Sequence, residues 1–577
     1  MKTDPKDEST RDVICIDFGF GHRSYKEEVD NLNKLRKKGI EAEDEERVRV
    51  IDELLERVEE RKDLFKHLSK DDIRREFYEN GLYIDYPIFS PKEKDKDVEV
   101  IGTERIYYKM LYRNPSKAKV GQCMFINEEL YDVAYDWLTM GLGSKLPEKE
   151  AKIVEISAYA PLTTSAIEGT MALSLDNVLF VEDQDSFFRT IADVVKCEDY
   201  EETVRKYNRK TKKYDSTSVT KKKCVVERKE TDVKNTLWDG MALIEADVLP
   251  EWCNGMALLR NHFFKSCAFK THIQQFIFDY CSQHNLNYDT FEVVDMFGNK
   301  HLAKNVKMIT TNNSLKIFKF TDIMGGTKLS AYEYWKNKVI QNNCLWGIVK
   351  TDHPSKLDSV QQMSYQMVNS LPCSEEDIYK IASTSVRYVE LLKSDNNEFE
   401  KFLRKKATAV NSYEMLADLY DWNHNFEKTK FWKTNKSAII KNYVNKLRQG
   451  KITVSGDNLT VCGNPYALLL YSVGDDWEKD PTFESETGTV QVYTTRFNDG
   501  EYLCGIRSPQ NSQNNIAYYH NHKHPLMERY FEFSNNIMAV NCIHTDIQAR
   551  CNGMDLLNRD RFWGNSVQKV CGELRKS

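Results

Sequence analysis

Apolar and polar positions fall into distinct textures along the chain. From Tyr25 to Tyr78, apolar residues recur at helical spacing inside dense mixed charge, as at Val50, Leu54, Leu55 and Val58, which predicts two or three exposed helices, packed as a hairpin or against a partner protein. From Tyr83 to about Phe188 the texture becomes strand-like: Ile106 to Arg113, Cys123 to Ile126, Val154 to Tyr159 and Asn177 to Val181 are rich in β-branched and aromatic residues. Residues 1 to about 25 are polar apart from Val13 to Phe20. The Asp17-Phe18-Gly19-Phe20-Gly21 piece lacks the later Gly, Lys and Ser/Thr of a phosphate loop.

Strands return at Met241 to Ile244 and Gly255 to Arg260, the former following the Trp238-Asp239-Gly240 turn. Val306 to Phe320 alternates as a strand pair, with Thr310 to Asn313 at its turn. Cys373 to about Gly450 carries amphipathic helices, opened by a Ser374 cap and an acidic first turn. Beyond Lys451, strands are expected at Ile452 to Val454, Leu459 to Cys462, Tyr466 to Val473, Thr489 to Thr494, Glu501 to Ile506 and Ile537 to Val540, with Asn498-Asp499-Gly500 as a hairpin turn. The fold class is therefore α+β. Six regions follow from the changes of texture: 1–82 charged and helical, 83–200 mixed, 201–234 a basic linker or loop, 235–330 strand-rich, 331–450 mainly helical and 451–577 strand-rich.

Charge refines this outline. The whole chain of 577 residues has a formal net charge of -6, so nothing global marks a nucleic-acid binder. Residues 201 to 230 run the other way, with 11 Lys/Arg against 5 Asp/Glu. Such a run is either a solvated loop or an arm that contacts phosphates. The 14 cysteines are scattered singly without a Cys-x-x-Cys pair, which argues for reduced interior thiols rather than structural zinc or a disulfide framework. Met1 to Arg11 is strongly polar and no apolar run reaches membrane-span length, so a cytoplasmic protein without a membrane partner is expected.

One late stretch carries candidate chemistry. It holds the Arg507-Ser508-Pro509 turn, the apolar strand Ile537 to Val540, and the Gly553-Met554-Asp555 loop. An acidic turn at a strand end suits Mg²⁺, which takes rigidly held carboxylate oxygens beside substrate phosphates. In this order the pieces resemble the C-terminal catalytic barrel of the two-barrel RNA-dependent RNA polymerases, the cellular type and its bacterial and phage relatives. Asp239-Gly240, with Arg260 and Lys265 five residues apart, resembles the first barrel of that family, and Gln361 to Leu371 resembles the helical segment between the barrels.

The resemblance implies two double-psi β-barrels, at about 236–330 and 451–560, with helices between and before them. It implies template-directed RNA synthesis from nucleoside triphosphates on a nucleic-acid template, RNA rather than DNA, by two-metal-ion phosphoryl transfer with Mg²⁺ or Mn²⁺. Lys265 and Asp555 become the catalytic candidates. Arg260, Arg507 and Lys350 become the substrate and nucleic-acid contacts, and Asp555, Asp546 and Asp560 the metal ligands. The sequence departs from the family where its second and third loop carboxylates belong, since Leu557 and Arg559 stand there. An oxygen ligand is thereby missing and a cation added, which is unfavourable for metal binding. A strand after the loop is not evident in the sequence, so a frameshift near Met554 to Leu557 and an inactive remnant are expected, or else a protein that only binds nucleic acid. His520, His522 and His524 alternate, a spacing that on a strand would place three imidazoles on one face as a metal site. Tyr413, Tyr420, Trp422, Phe426 and Trp432 are either helix core or a base-stacking surface.

Overall fold

The computed structural model describes residues 9–17, 25–42, 44–60, 80–89, 100–113, 122–143, 156, 159, 162, 167–208, 213–353, 360–371, 373–408, 411–484, 490–506, 516–547 and 566–567. The chain divides into two compact units. One comprises Met1–Ala166, Asn261–Phe263 and Lys316–Cys344, and the other Ile167–Arg260, Phe264–Leu315 and Leu345–Ser577.

In the first unit, strands β1 (Val13–Asp17), β2 (Leu82–Phe89), β3 (Val100–Arg113) and β4 (Gln122–Asn127) form an antiparallel sheet in the order β1-β4-β3-β2. Tyr108, Cys123 and Phe125 alternate onto one face of it and make its core. The charged region contributes the helices Tyr25–Glu41 and Glu45–Glu60, as the periodicity predicts. Val154 to Tyr159 lies mostly outside the described residues.

The second unit is built on a pattern used twice. Its strands are β5 (Gly169–Met171), β6 (Val178–Val181), β7 (Asp185–Asn208), β8 (Lys213–Thr236), β9 (Met241–Glu245), β10 (Met256–Asn261) and β11 (Phe264–Thr271). They continue as β12 (Glu292–Val294), β13 (Lys300–Leu302), β14 (Met308–Thr311), β15 (Trp346–Thr351), β16 (Val360–Gln362), β17 (Thr453–Ser455) and β18 (Leu459–Cys462). The last are β19 (Val490–Tyr493), β20 (Tyr502–Ile506), β21 (Ile516–Asn521), β22 (Ile537–Val540) and β23 (Ser566–Val567).

One sheet contains the run β10-β11-β9-β14-β6 and the other the run β20-β21-β19-β22-β18. In each, the first strand in sequence pairs parallel to the fifth, at β6 with β14 and β18 with β22. The fifth pairs antiparallel to the second, at β14 with β9 and β22 with β19. The second pairs parallel to the fourth, at β9 with β11 and β19 with β21. A helix follows the fourth strand in both copies, Ile273–Gln283 and Pro525–Tyr530. Every residue of β9, β14, β19 and β22 is buried, as strands covered on both faces require. One hydrophobic core holds residues of both copies, among them Leu243, Phe269, Ile309, Val461, Val492 and Met538. The ends are also stitched together: the His272 amide donates to Tyr530 O at 2.8 Å, and the Glu532 amide to Lys270 O at 3.1 Å.

The structure corrects several expectations. The basic stretch at 201–234 is not a linker, because β7 and β8 pair from Asp185↔Thr236 out to Asn208↔Lys213 as a two-stranded ribbon, roughly 80 Å long at ~3.3 Å per residue. Tyr466 to Val473 is not a strand but the helix Pro465–Ser472. A short continuous apolar run does not distinguish strand from buried helix, and here Pro465 starts the helix. Val306 to Phe320 is one strand, β14, followed by the short helical turns Asn312–Ser314 and Lys316–Ile323. A strand does follow the acidic loop in sequence, since β23 pairs antiparallel with β18.

Candidate functional site

The candidate cations of the first copy sit on the β10–β11 hairpin. Arg260 is the penultimate residue of β10 and is 4% exposed, and its Nη1 donates to Leu259 O at 2.7 Å. Lys265 is the second residue of β11 and is 7% exposed. The Asp239-Gly240 turn stands beside them: Gly240 has φ 72, and its carbonyl accepts the Cys267 amide at 2.9 Å and Ser266 Oγ at 3.1 Å. Positive φ is the reason for glycine here. Lys350 does not join this pair in register, because β15 sets Lys350 opposite Leu258 while Arg260 faces Gly347. Lys350 is exposed, and the buried neighbour Asp352 accepts the amides of Gly255 at 3.0 Å and Met256 at 3.1 Å.

In the second copy, Asp546 lies partly buried in the turn after β22. That turn is held to the base of the ribbon by Asn235, whose Nδ2 donates to Cys542 O and Thr545 O, both at 2.8 Å. Arg507, which follows β20 in sequence, and Asp555 and Asp560 lie outside the described residues. Among the described residues no group of three or more His, Cys, Asp or Glu is arranged to hold a metal ion.

The alternating histidines do not share one strand face. β21 ends at Asn521, so only His520 is on it, and its ring stacks on Tyr502 at 4.7 Å. His524 instead caps the helix Pro525–Tyr530, Nδ1 accepting the Leu526 amide at 3.3 Å. Burial, with His522 nearby, pushes the His524 pKa down. Of the aromatics between the copies, Tyr420 and Trp432 are core residues stacked at 4.9 Å, whereas Trp422 is 86% exposed.

Two polar clasps escape sequence reasoning. Asp183 and Asn464 each stand two residues beyond the first strand of their copy. Asp183 accepts the amides of Gln184 at 2.9 Å and Trp238 at 3.0 Å, and Asn313 Nδ2 at 2.8 Å. Asn464 accepts the Cys542 amide at 2.7 Å and donates to Asn541 Oδ1 at 3.0 Å and Asp480 Oδ2 at 3.1 Å. Both clasps thus tie the exit of the first strand to the exit of the fifth. Burial outweighs these donors and pushes the Asp183 carboxyl up to about 7. Asp480 is shifted the same way for the same reason. The two copies are joined where Trp238 Nε1 donates to Asn464 O at 2.9 Å. The available signal was the matched offset of an amide or acid two residues after Val181 and after Cys462.

No protein-family model matches the chain, and no curated protein sequence matches it. Among solved structures it is similar to the RNA dependent RNA polymerase QDE-1 from Thielavia terrestris, with 10% identity and a TM-score of 0.44 over 81% of this chain and 44% of that one. The chain thus spans less than half the length of that polymerase.

Proposed function

We propose that this chain is a nucleotidyltransferase of the RNA-dependent RNA polymerase type, its two strand runs forming a pair of double-psi β-barrels that bind an RNA template and nucleoside triphosphates. The observation that carries this reading is the repeated strand order, with Arg260 and Lys265 on the β10–β11 hairpin of one copy and Arg507 directly after the matching strand β20 of the other. A compact ammonium at Lys265 neutralises charge on transferring phosphoryl oxygens, and the guanidinium groups hold phosphates through paired donors.

Mg²⁺ or Mn²⁺ would be taken by Asp555 with Asp546 and Asp560, and would supply charge neutralisation at the reacting phosphate. The donor set falls short of what a hard cation demands: Leu557 offers no oxygen and Arg559 brings positive charge into the same loop. That observation favours a second reading, a nucleic-acid-binding protein that keeps the polymerase architecture without catalysis. Incorporation of labelled nucleotide on a defined RNA template separates the two. The first reading requires incorporation that is lost in Lys265→Ala and Asp555→Ala. The second requires template binding without incorporation.

A further inference from the structure

The β7–β8 ribbon carries a feature that neither reading uses. Its register sets Cys197 opposite Cys224, with Val195 opposite Val226 and Asp199 opposite Lys222 on the same face. The two sulfurs lie 3.9 Å apart and both cysteines are exposed. Elsewhere in the unit Cys253, Cys267, Cys281, Cys462, Cys504 and Cys542 are buried. Directly opposed residues of an antiparallel pair have Cα atoms ~4.5 or ~5.5 Å apart, and a disulfide accepts roughly 4.4 to 6.8 Å. Side-chain rotation alone therefore brings the sulfurs to the ~2.05 Å of a bond.

We infer that Cys197 and Cys224 form a reversible cross-strand disulfide that pins the ribbon at mid-length. The oxidant is a low-molecular-weight disulfide. The thiolate of one cysteine attacks a sulfur of that disulfide, forming a mixed disulfide and releasing one thiolate. The second cysteine, after losing its proton to solvent, attacks the protein sulfur of the mixed disulfide and releases the other thiolate. The protein loses two hydrogens, and the oxidant is reduced to two thiols. An isolated two-stranded ribbon is marginal in water. Here it is supported mainly by its own ladder and by exposed cross-strand ion pairs such as Lys196–Glu227, Lys221–Glu202 and Lys223–Glu198. Oxidation closes the loop between residues 197 and 224 and holds the lysine-rich distal half, including Lys221, Lys222 and Lys223, in one register.

The test is to incubate the full chain with oxidised glutathione, alkylate the remaining thiols and map the peptides by mass spectrometry. The expected product is a Cys197–Cys224 cross-linked peptide, 2 Da lighter than the two thiol peptides together, formed before any other pairing and reversed by dithiothreitol. Cys197→Ser should instead leave a glutathione adduct on Cys224, and the substitution is at an exposed position that the core does not need. Separate glutathione adducts on Cys197 and Cys224 in the unsubstituted chain would overturn the inference. So would two free thiols there while the exposed Cys15 is oxidised.

Discussion

Asp183 takes the backbone N–H of Trp238 at 3.0 Å, and Trp238 passes its own indole N–H to the carbonyl of Asn464 at 2.9 Å, so the clasp of one strand run is wired to the clasp of the other. The relay explains why an acid is kept where burial penalises its charge. It also makes Asp183 a reporter of the folded state. Its carboxyl is raised from 3.8 to about 7, so the native state holds the proton more tightly than the unfolded chain does. Stability is greatest below pH 4 as far as this group is concerned, and falls as pH rises toward 7. The residue is partly exposed, so on the order of 4 kcal/mol is a ceiling. Asp183→Asn should flatten that slope: between pH 5 and pH 8 its urea midpoint should move less than the wild-type midpoint. Equal movement would show that Asp183 titrates normally.

Gly463 precedes the second clasp, and a Cβ there would stand 2.0 Å from the carbonyl oxygen of Leu237. The obstacle is backbone, so no side chain can swing aside. Gly463→Ala should therefore separate the strand runs or prevent folding, a loss above the ~1–3 kcal/mol of ordinary overpacking. Gly474, whose Cβ would meet nothing within 4 Å, is the comparison position, although its φ of 82 adds ~1–2 kcal/mol of strain to an alanine. A melting temperature for Gly463→Ala at or above that of Gly474→Ala would refute the argument.

In the first unit, His262 turns the chain at φ 49 and is 5% exposed, its Nε2 3.0 Å from Cys344 Sγ and 3.2 Å from Asn342 Nδ2. Burial first, and the nearby Lys338 second, lower its pKa from 6.5 to about 4. Below pH 6.5 the unfolded chain takes up a proton that the folded chain refuses. Stability is lost as pH falls from 6.5 toward 4, by about 3 kcal/mol at the limit. His262→Asn keeps a residue tolerant of the left-handed backbone and should remove this acid sensitivity. Chemical denaturation at pH 4.5 and pH 7 measures it.

The sequence made strands visible where burial and β-branching coincide. Leu459–Cys462 and Ile537–Val540 were marked residue for residue, and Met241–Glu245 nearly so. It also showed the helices opened by Ser374 and by the charge periodicity near Val50. What it hid is what only pairing decides. Residues 201–234 read as a linker or loop because both faces of the ribbon are solvated, so no apolar alternation survives. Pro465–Ser472 read as a strand because a helix buried on all sides has no polar stripe. The repeated strand order is equally invisible, since Ile309 facing Leu243 in one copy and Val492 facing Val540 in the other share a geometry and not a motif. Arg260 and Lys265 were paired in the sequence by their five-residue spacing alone, and that they stand on adjacent strands of one hairpin is visible only in the fold; Lys350 was marked as a lysine at a strand end, and its register opposite Leu258 was equally invisible.

That distinction between Lys265 and Lys350 yields the sharpest prediction for the proposed chemistry. Lys265 is 7% exposed at the start of β11, and a lysine enclosed to that degree is retained for an anionic partner or for its packing. Lys350 is exposed on β15, where charge is screened and weak. If the chain synthesises RNA, Lys265→Ala should lower incorporation at saturating nucleotide by about two orders of magnitude, the usual loss when one donor to developing charge is removed. Lys350→Ala should change template affinity modestly and reduce its salt dependence, leaving the rate with bound template intact. Lys265→Met keeps the buried aliphatic stem without the charge and separates the two roles of that side chain. A fully active, normally melting Lys265→Met variant would remove Lys265 from the reaction and leave its packing as the reason for its burial.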